Sequence, residues 1–205
     1  FVPTMGGLHK GHLDLIVKSQ IKCKTTICSI FINPTQFNNE QDLANYPKSY
    51  DKDISKLNSI NCDILYLPKE SELYPEYIAA NQYDFNGLDI YMEGKYRPNH
   101  FNGVATIVEI LFQIIKPSFA FFGEKDLQQL QIVKQLVKQL NLTINIIGVP
   151  TTREENGLAL SSRNKLLSAE EKRIAQKIYS CLLYCKNNST KGVNTLKKYI
   201  TSEFN

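Results

Sequence analysis

No apolar run approaches the roughly 18 residues that a membrane-crossing helix needs, so such a helix is excluded. No CxxC pair occurs, and the five cysteines, Cys23, Cys28, Cys62, Cys181 and Cys185, are scattered through apolar segments. An odd, dispersed set argues against a disulfide framework or a zinc site, and for reduced thiols in a cytoplasm. The string GxxxxGK[ST] is missing, which excludes a Walker A phosphate loop. Internal repeats and low-complexity tracts are missing as well. Histidine is scarce: His9, His12 and His100 are the only three in 205 residues, and two of them stand three apart near the start.

What is present is ordinary globular composition, 42% hydrophobic and 21% charged, in a chain long enough to bury a core without staples. Intrinsic disorder is excluded on that ground. The net charge of +4 is uneven. Residues 1–150 carry 14 basic against 15 acidic side chains, whereas residues 151–205 carry 10 against 5. A basic end can serve nucleic acid, an anionic ligand, or a solvated helical surface. The lysines here sit mostly singly, without interleaved aromatics, so a nucleic-acid interface is not expected. The chain opens on Phe1-Val2-Pro3 rather than Met, as a strand already under way, and a lead segment ahead of it is expected.

Up to Pro150, strand-like and helix-like segments alternate. Thr25 to Asn33, Asp63 to Leu67, Phe119 to Phe122 and Thr143 to Val149 read as strands. Ser49 to Ile60, Val104 to Ile115 and Asp126 to Leu140 carry helical periodicity, the last with Asp126 available as its cap. Nearly continuous apolar strands separated by helices predict an α/β fold with a doubly wound parallel sheet covered on both faces. Thr151 to Asn164 is polar and turn-rich. Ser168-Ala-Glu-Glu171 reads as a capping box opening a helix to about Lys186, and Val193 to Phe204 as a second helix. The domain boundary is placed near 150, giving a Rossmann-like domain over 1–150 and a small α+β lid domain over 151–205.

The densest chemistry lies in Pro3-Thr-Met-Gly-Gly-Leu-His9-Lys-Gly-His12. A strand ending near Thr4, a turn at Gly6 and Gly7, and a helix starting near His9 would aim backbone N–H groups and a positive helix end at the sheet's carboxyl edge. That is a phosphate site, and His9 and His12 on one face of the first turn can donate hydrogen bonds to phosphate oxygens. The plainer reading is a capped helix start with two incidental histidines. A metal site is weaker, since no third ligand stands nearby in sequence. Asn33 and Gln36 leave the second strand at the same edge, where neutral amides suit hydroxyls and a carboxylate; an ordinary Asn-Pro turn is the alternative. Gly123-Glu-Lys-Asp126 follows the FAFF strand, with Lys125 placed for phosphate and Asp126 for capping or Mg²⁺. Ser161-Ser162-Arg163 could close over a triphosphate, or form a plain turn before a helix. Tyr96, Arg97 and His100 precede an apolar helix, and only Arg97 is assigned a ligand contact.

The HxGH spacing resembles the signature of the adenylyl-transferring superfamily that includes class I aminoacyl-tRNA synthetases and nucleotidylyltransferases. The string PTMGGLHKGH resembles, more specifically, the pantoate–β-alanine ligase family. Four further segments agree in order: Phe31-Ile-Asn-Pro-Thr-Gln-Phe37, Arg97-Pro-Asn-His-Phe-Asn-Gly-Val104, Phe122-Gly-Glu-Lys-Asp126, and Arg153 through Ser161-Ser-Arg-Asn164.

The resemblance implies an ATP-dependent condensation of pantoate with β-alanine through a pantoyl adenylate, with Mg²⁺, in a cytoplasmic homodimer. It makes His9, His12 and Lys125 catalytic. It assigns ATP binding to Met5, Gly6, Gly7, Leu8, His9, Lys10, Gly11 and His12, to Gly123, Glu124, Lys125 and Asp126, and to Thr152, Leu160, Ser161, Ser162 and Arg163. Gln36 and Gln129 would bind pantoate, and Gln36 and Asn33 β-alanine. No residue is assigned as a metal ligand. Gly7, Lys10, Leu127, Thr152 and Leu160 depart from the family's usual Ala, Glu, Tyr, Val and Met, and the segment after 150 is shorter than the family's C-terminal domain. A related nucleotidylyltransferase acting on a phosphate-bearing acceptor, and an inactive relative, remain alternatives.

Overall fold

The computed structural model describes residues 1–47 and 49–204. The chain divides into two compact units, Phe1–Pro150 and Thr151–Asn205. In the first, β1 (Val2–Thr4) feeds α1 (Lys10–Lys22), followed by β2 (Ile27–Ile30), α2 (Glu40–Ala44), α3 (Tyr50–Ser59) and β3 (Ile64–Tyr66). Three helices come next, α4 (Glu70–Leu73), α5 (Met92–Tyr96) and α6 (His100–Ile115). The unit closes with β4 (Phe119–Gly123), α7 (Leu127–Gln139) and β5 (Asn145–Val149).

In this unit the strand pairings among the described residues are parallel: β1 with β2 (Val2 opposite Cys28), β2 with β3 (Ile27 opposite Ile64), and β4 with β5 (Phe119 opposite Asn145). Phe1 joins the two groups. Its nitrogen donates to Phe119 O at 2.8 Å, and its carbonyl accepts Phe121 N–H at 2.9 Å. One residue bonded to positions two apart on its neighbour is the parallel ladder pattern. The strand order is therefore β3-β2-β1-β4-β5, that of a doubly wound sheet whose direction of winding reverses between β1 and β4.

Alternation along β4 shows why both faces are covered. Ala120 and Phe122 pack with Phe1, with Val104, Val108, Leu111 and Phe112 of α6, and with Leu130, Val133 and Leu136 of α7. Phe121 points the other way, to Val2, Cys28, Leu15, Ile16 and Leu57 on the side of α1 and α3. Phe121 is 1% exposed, and losing a ring so enclosed costs about 3–5 kcal/mol.

Strands β2, β3 and β5 are shorter than their apolar runs, whereas β4 extends one residue past FAFF; β2 ends before Phe31 turns toward the Asn33–Gln36 loop. Helix α6 begins four residues earlier than its periodicity predicts: Asn99 takes a left-handed conformation (φ 62°) and adds the turn starting at His100. Asp126 stands at the start of α7 but makes no side-chain cap; it lies 3.5 Å from the Lys125 ammonium instead.

The second unit holds α8 (Ala169–Asn187) and α9 (Val193–Phe204). The capping box is complete, with Ser168 Oγ accepting Glu171 N–H at 3.2 Å and Glu171 Oε2 accepting Ser168 N–H at 2.8 Å. The two helices meet through stacked rings of Tyr184 and Tyr199, 3.7 Å apart. Among the described residues, the β component of this unit is a single antiparallel bridge, Arg153 with Ala159. Thr151 to Asn164 has too few alternating β-branched residues to extend it.

Candidate active site

The corner between β1 and α1 is built as the glycine pair requires. Gly6 and Gly7 have φ of +81° and +61°, a region side chains rarely enter. A Cβ on Gly6 would also lie 3.0 Å from Ile30 Cγ2 and 3.1 Å from Asp53 Oδ2. The N–H groups of this corner, however, do not face an open crevice. Gly6 donates to Thr4 Oγ1 (3.3 Å), Gly7 to Asp53 Oδ2 (2.8 Å), and Leu8 to Asp53 Oδ1 (2.8 Å). His9 donates to His12 Nδ1 (3.2 Å), and Gly11 to His9 Nδ1 (3.1 Å). The amides of Gly6, Gly7, Leu8, His9 and Gly11, expected in a free cradle, are thus engaged within the fold by Thr4, Asp53 and the two imidazoles.

A neutral imidazole whose Nδ1 accepts carries its proton on Nε2, so the two caps fix both histidines as Nε2–H donors. Their ring centroids are 4.1 Å apart. Burial first, and then neighbouring His9, Lys125 and Lys56, push His12 down from its ordinary 6.5 to about 3. Lys56 of α3 and Lys125 after β4 therefore act on the same imidazole. Lys10 turns away along its own helix, its Nζ 3.1 Å from Asp14 Oδ1.

Beside this corner lies the turn Pro34–Gln36. Asn33 is 1% exposed. Its Nδ2 donates to Gly103 O (3.0 Å) and to Gln36 Oε1 (3.4 Å), while its Oδ1 accepts from Tyr74 (2.7 Å) and Thr35 (3.1 Å). Gln36 Nε2 donates to Met5 Sδ, joining the turn to the first motif. The Gln36 carbonyl is gripped by His100 Nδ1–H (2.7 Å) and Arg97 (3.3 Å). His100 is buried, which lowers its tendency to protonate. Arg97, expected at a ligand, is spent on this carbonyl and on Glu93 (3.5 Å).

At the end of β4, Gly123 leads into the 3-10 turn Glu124–Asp126, with Lys125 and Asp126 partly in solvent. Gln129 stands half-buried in the first turn of α7. Its neighbour Gln128 donates to the carbonyls of Leu88 and Tyr91 (both 2.7 Å) and accepts Glu93 N–H (3.0 Å), holding the approach to α5. Among the described residues no three His, Cys, Asp or Glu side chains cluster as a metal cage.

In the second unit, Leu160 N–H bonds Thr152 O (3.0 Å), and Ser161 Oγ accepts Arg163 N–H (3.3 Å) to start the turn Ser162–Leu166. Gly157 (φ +87°) lies against Tyr179, over whose ring the Arg153 guanidinium stands at 4.1 Å.

A family profile described as pantoate–β-alanine ligase matches residues 1–205. The chain belongs to the pantoate–β-alanine ligase family. A pantothenate synthetase of Flavobacterium psychrophilum is 46% identical over 206 residues, covering 100% of this chain and 73% of that relative. The crystal structure of pantothenate synthetase from Thermus thermophilus superposes with a TM-score of 0.88 at 42% identity, over 94% of this chain and 70% of the other. A second ligase structure, from Francisella tularensis in complex with β,γ-ATP and β-alanine, gives 0.87 at 42% identity, over 99% and 77%.

Sequence reasoning missed Asp53 and Lys56 at the glycine corner, and Gln128 beside α5. Only Asp53 left a signal. It shares the helical face of Tyr50, Ile54, Leu57 and Ile60, and a carboxylate on an apolar stripe demands buried partners.

Proposed function

We infer that the chain condenses pantoate with β-alanine, consuming ATP and releasing AMP and pyrophosphate. The observation carrying this reading is the adjacent pair of imidazoles, His9 and His12, with the Lys125 charge acting on His12, where the doubly wound sheet reverses, the place such folds hold ligands.

The pantoate carboxylate attacks the α-phosphorus of ATP, forming the acyl–phosphate bond as pyrophosphate leaves. A carboxylate is already ionised, so this step needs charge stabilisation and alignment rather than a base. His12 and His9 donate to phosphate oxygens, and Lys125 neutralises them. The amine of β-alanine then attacks the acyl carbon, an N–H proton is released as the amide forms, and AMP departs. Gln36 and Gln129 hold the pantoate hydroxyls and carboxylate, with Gln36 also reaching β-alanine. Asn33, its amide engaged on all sides, serves by fixing the Gln36 side chain rather than by touching ligand.

Met5 to His12 and Gly123 to Asp126 stand as the proposed ATP contacts of the first, nucleotide- and pantoate-binding unit. Thr152, Leu160, Ser161, Ser162 and Arg163 are proposed for ATP from the second unit, read as a lid, with motif resemblance as their support. Mg²⁺ fits this donor set as a cation carried mainly by phosphate oxygens and water, with Asp126 the carboxylate available to it; when bound it offsets phosphate charge. Cytoplasmic residence is supported by five free thiols, and a homodimer by resemblance.

The test is pyrophosphate release from ATP and Mg²⁺ in a single turnover. Release that requires pantoate but not β-alanine is expected. Release that requires a phosphorylated acceptor instead overturns the ligase reading in favour of a nucleotidylyltransferase.

A further inference from the structure

We propose that Asp53 and Lys56 are positioning residues of this site: one turn apart on α3, they clamp the Gly7–Leu8 backbone and thereby set the orientation of His9 and His12. The proposal rests on the ligase reading above and adds two residues to it.

The clamp engages both polarities of one stretch of backbone. Asp53 accepts the N–H groups of Gly7 and Leu8 at 2.8 Å each, and the Lys56 ammonium donates to the carbonyl of Leu8. Asp53 is 1% exposed, and Lys56 Nζ lies 3.9 Å from its Oδ1, so the buried carboxylate is matched by two amides and a cation. Such a group is costly to bury and contributes nothing to packing that an apolar residue would not supply better. Its neighbours on that face of α3 are apolar. The position is therefore explained by what the carboxylate holds.

What it holds is the first link of a continuous chain. Leu8, itself 1% exposed, is pinned from below by burial and from the side by both clamp residues. The next N–H, that of His9, is accepted by His12 Nδ1, which keeps the His12 proton on Nε2. A shift of the Leu8 peptide would move the His9 N–H, release Nδ1, and let the proton change nitrogen. Lys56 adds a second effect, because its charge is one of those that keep His12 neutral. Neither residue needs to touch substrate: Asp53 is enclosed, and the ammonium of Lys56 is occupied by Leu8.

Lys56→Met keeps the aliphatic stem and removes the donor, and its partly exposed site should leave folding intact. Expected is a fall in single-turnover pyrophosphate release of about 10- to 100-fold, the scale of an ångström of misplacement, with KM for ATP nearly unchanged. Lys56→Arg, which can still donate to Leu8 O, should recover most of that rate. In ¹⁵N spectra of the imidazoles, wild-type His12 should show the Nε2–H form alone, and both Lys56→Met and Asp53→Asn should mix in Nδ1–H. Wild-type release by Lys56→Met, unchanged His12 signals in both variants, or an arginine variant as slow as the methionine one would each overturn the clamp. A wild-type enzyme that releases no pyrophosphate with pantoate defeats the ligase reading instead, and the His12 spectra still decide the clamp.

Discussion

His12 Nδ1 accepts the backbone N–H of His9 at 3.2 Å, so one imidazole caps the helix that carries it with one nitrogen and keeps the other as its donor. Cap and donor are two functions on two atoms of one ring, and they can be separated.

Asparagine at position 12 can keep an acceptor near Nδ1 but has nothing at Nε2, whereas glutamine reaches the Nε2 position and forfeits the cap. His12→Asn should therefore hold its stability and lose about 10²-fold in adenylate formation, the scale of one lost transition-state donor. His12→Gln should cost about 1 kcal/mol in urea unfolding, the scale of a lost cap, and keep more of the rate. The opposite ranking in single-turnover assays would remove His12 from the role assigned to it.

The pH dependence of stability has a definite sign. His12 ordinarily titrates near 6.5 and is pushed down to about 3 in the folded chain, chiefly by burial. Between those values the unfolded chain binds a proton that the folded one does not. Stability is then full above 6.5 and is lost as pH falls toward 3. Buried His100 is shifted in the same direction and adds to the slope. Urea midpoints measured from pH 7.5 to 4.5 should decline, and His12→Asn should flatten part of the decline.

Helix α6 can approach the Asn33–Gln36 turn because position 103 has no side chain. A Cβ there would stand 2.3 Å from Thr35 O and 2.8 Å from Gln36 Cα. Gly103→Ala should cost about 1–3 kcal/mol through overpacking. It should also raise KM for pantoate, because the turn carrying Gln36 is what must move. Unchanged stability together with unchanged KM would show that the turn yields freely.

His100 gives Gln36 a fixed carbonyl through a 2.7 Å hydrogen bond. His100→Phe should raise KM for pantoate by about tenfold, equivalent to about 1.4 kcal/mol, with KM for ATP unmoved. His100→Asn, which retains a donor, should fall between that variant and the wild type. An equal rise for both substrates would point to general unfolding rather than to Gln36.

Much of this protein was legible from short stretches of chain. The Gly6-Gly7 turn, the capping box at Ser168 and the limits of α9 rest on conformational preferences settled within a turn or two, and so does the helical face of α7. The parallel, doubly covered sheet was visible in the unbroken apolar character of TTICSIFIN and FAFF. Asp126 shows the limit of such local reading, since a side chain suited to capping pairs with Lys125 instead.

The amino-acid sequence by itself determined which segments become strands and helices, that the sheet is parallel and covered on both faces, and that His9, His12, Gln36 and Lys125 stand at strand ends. Only the tertiary structure decided the order β3-β2-β1-β4-β5, through two hydrogen bonds of Phe1, and the fate of the glycine-corner amides. Asp53 takes the Gly7 N–H from 46 positions away. A donor's choice of so distant an acceptor depends on how the sheet brings α3 to β1, and no local preference encodes that distance. Those amides are consequently engaged within the fold, an outcome that becomes visible only when each N–H is followed to its partner.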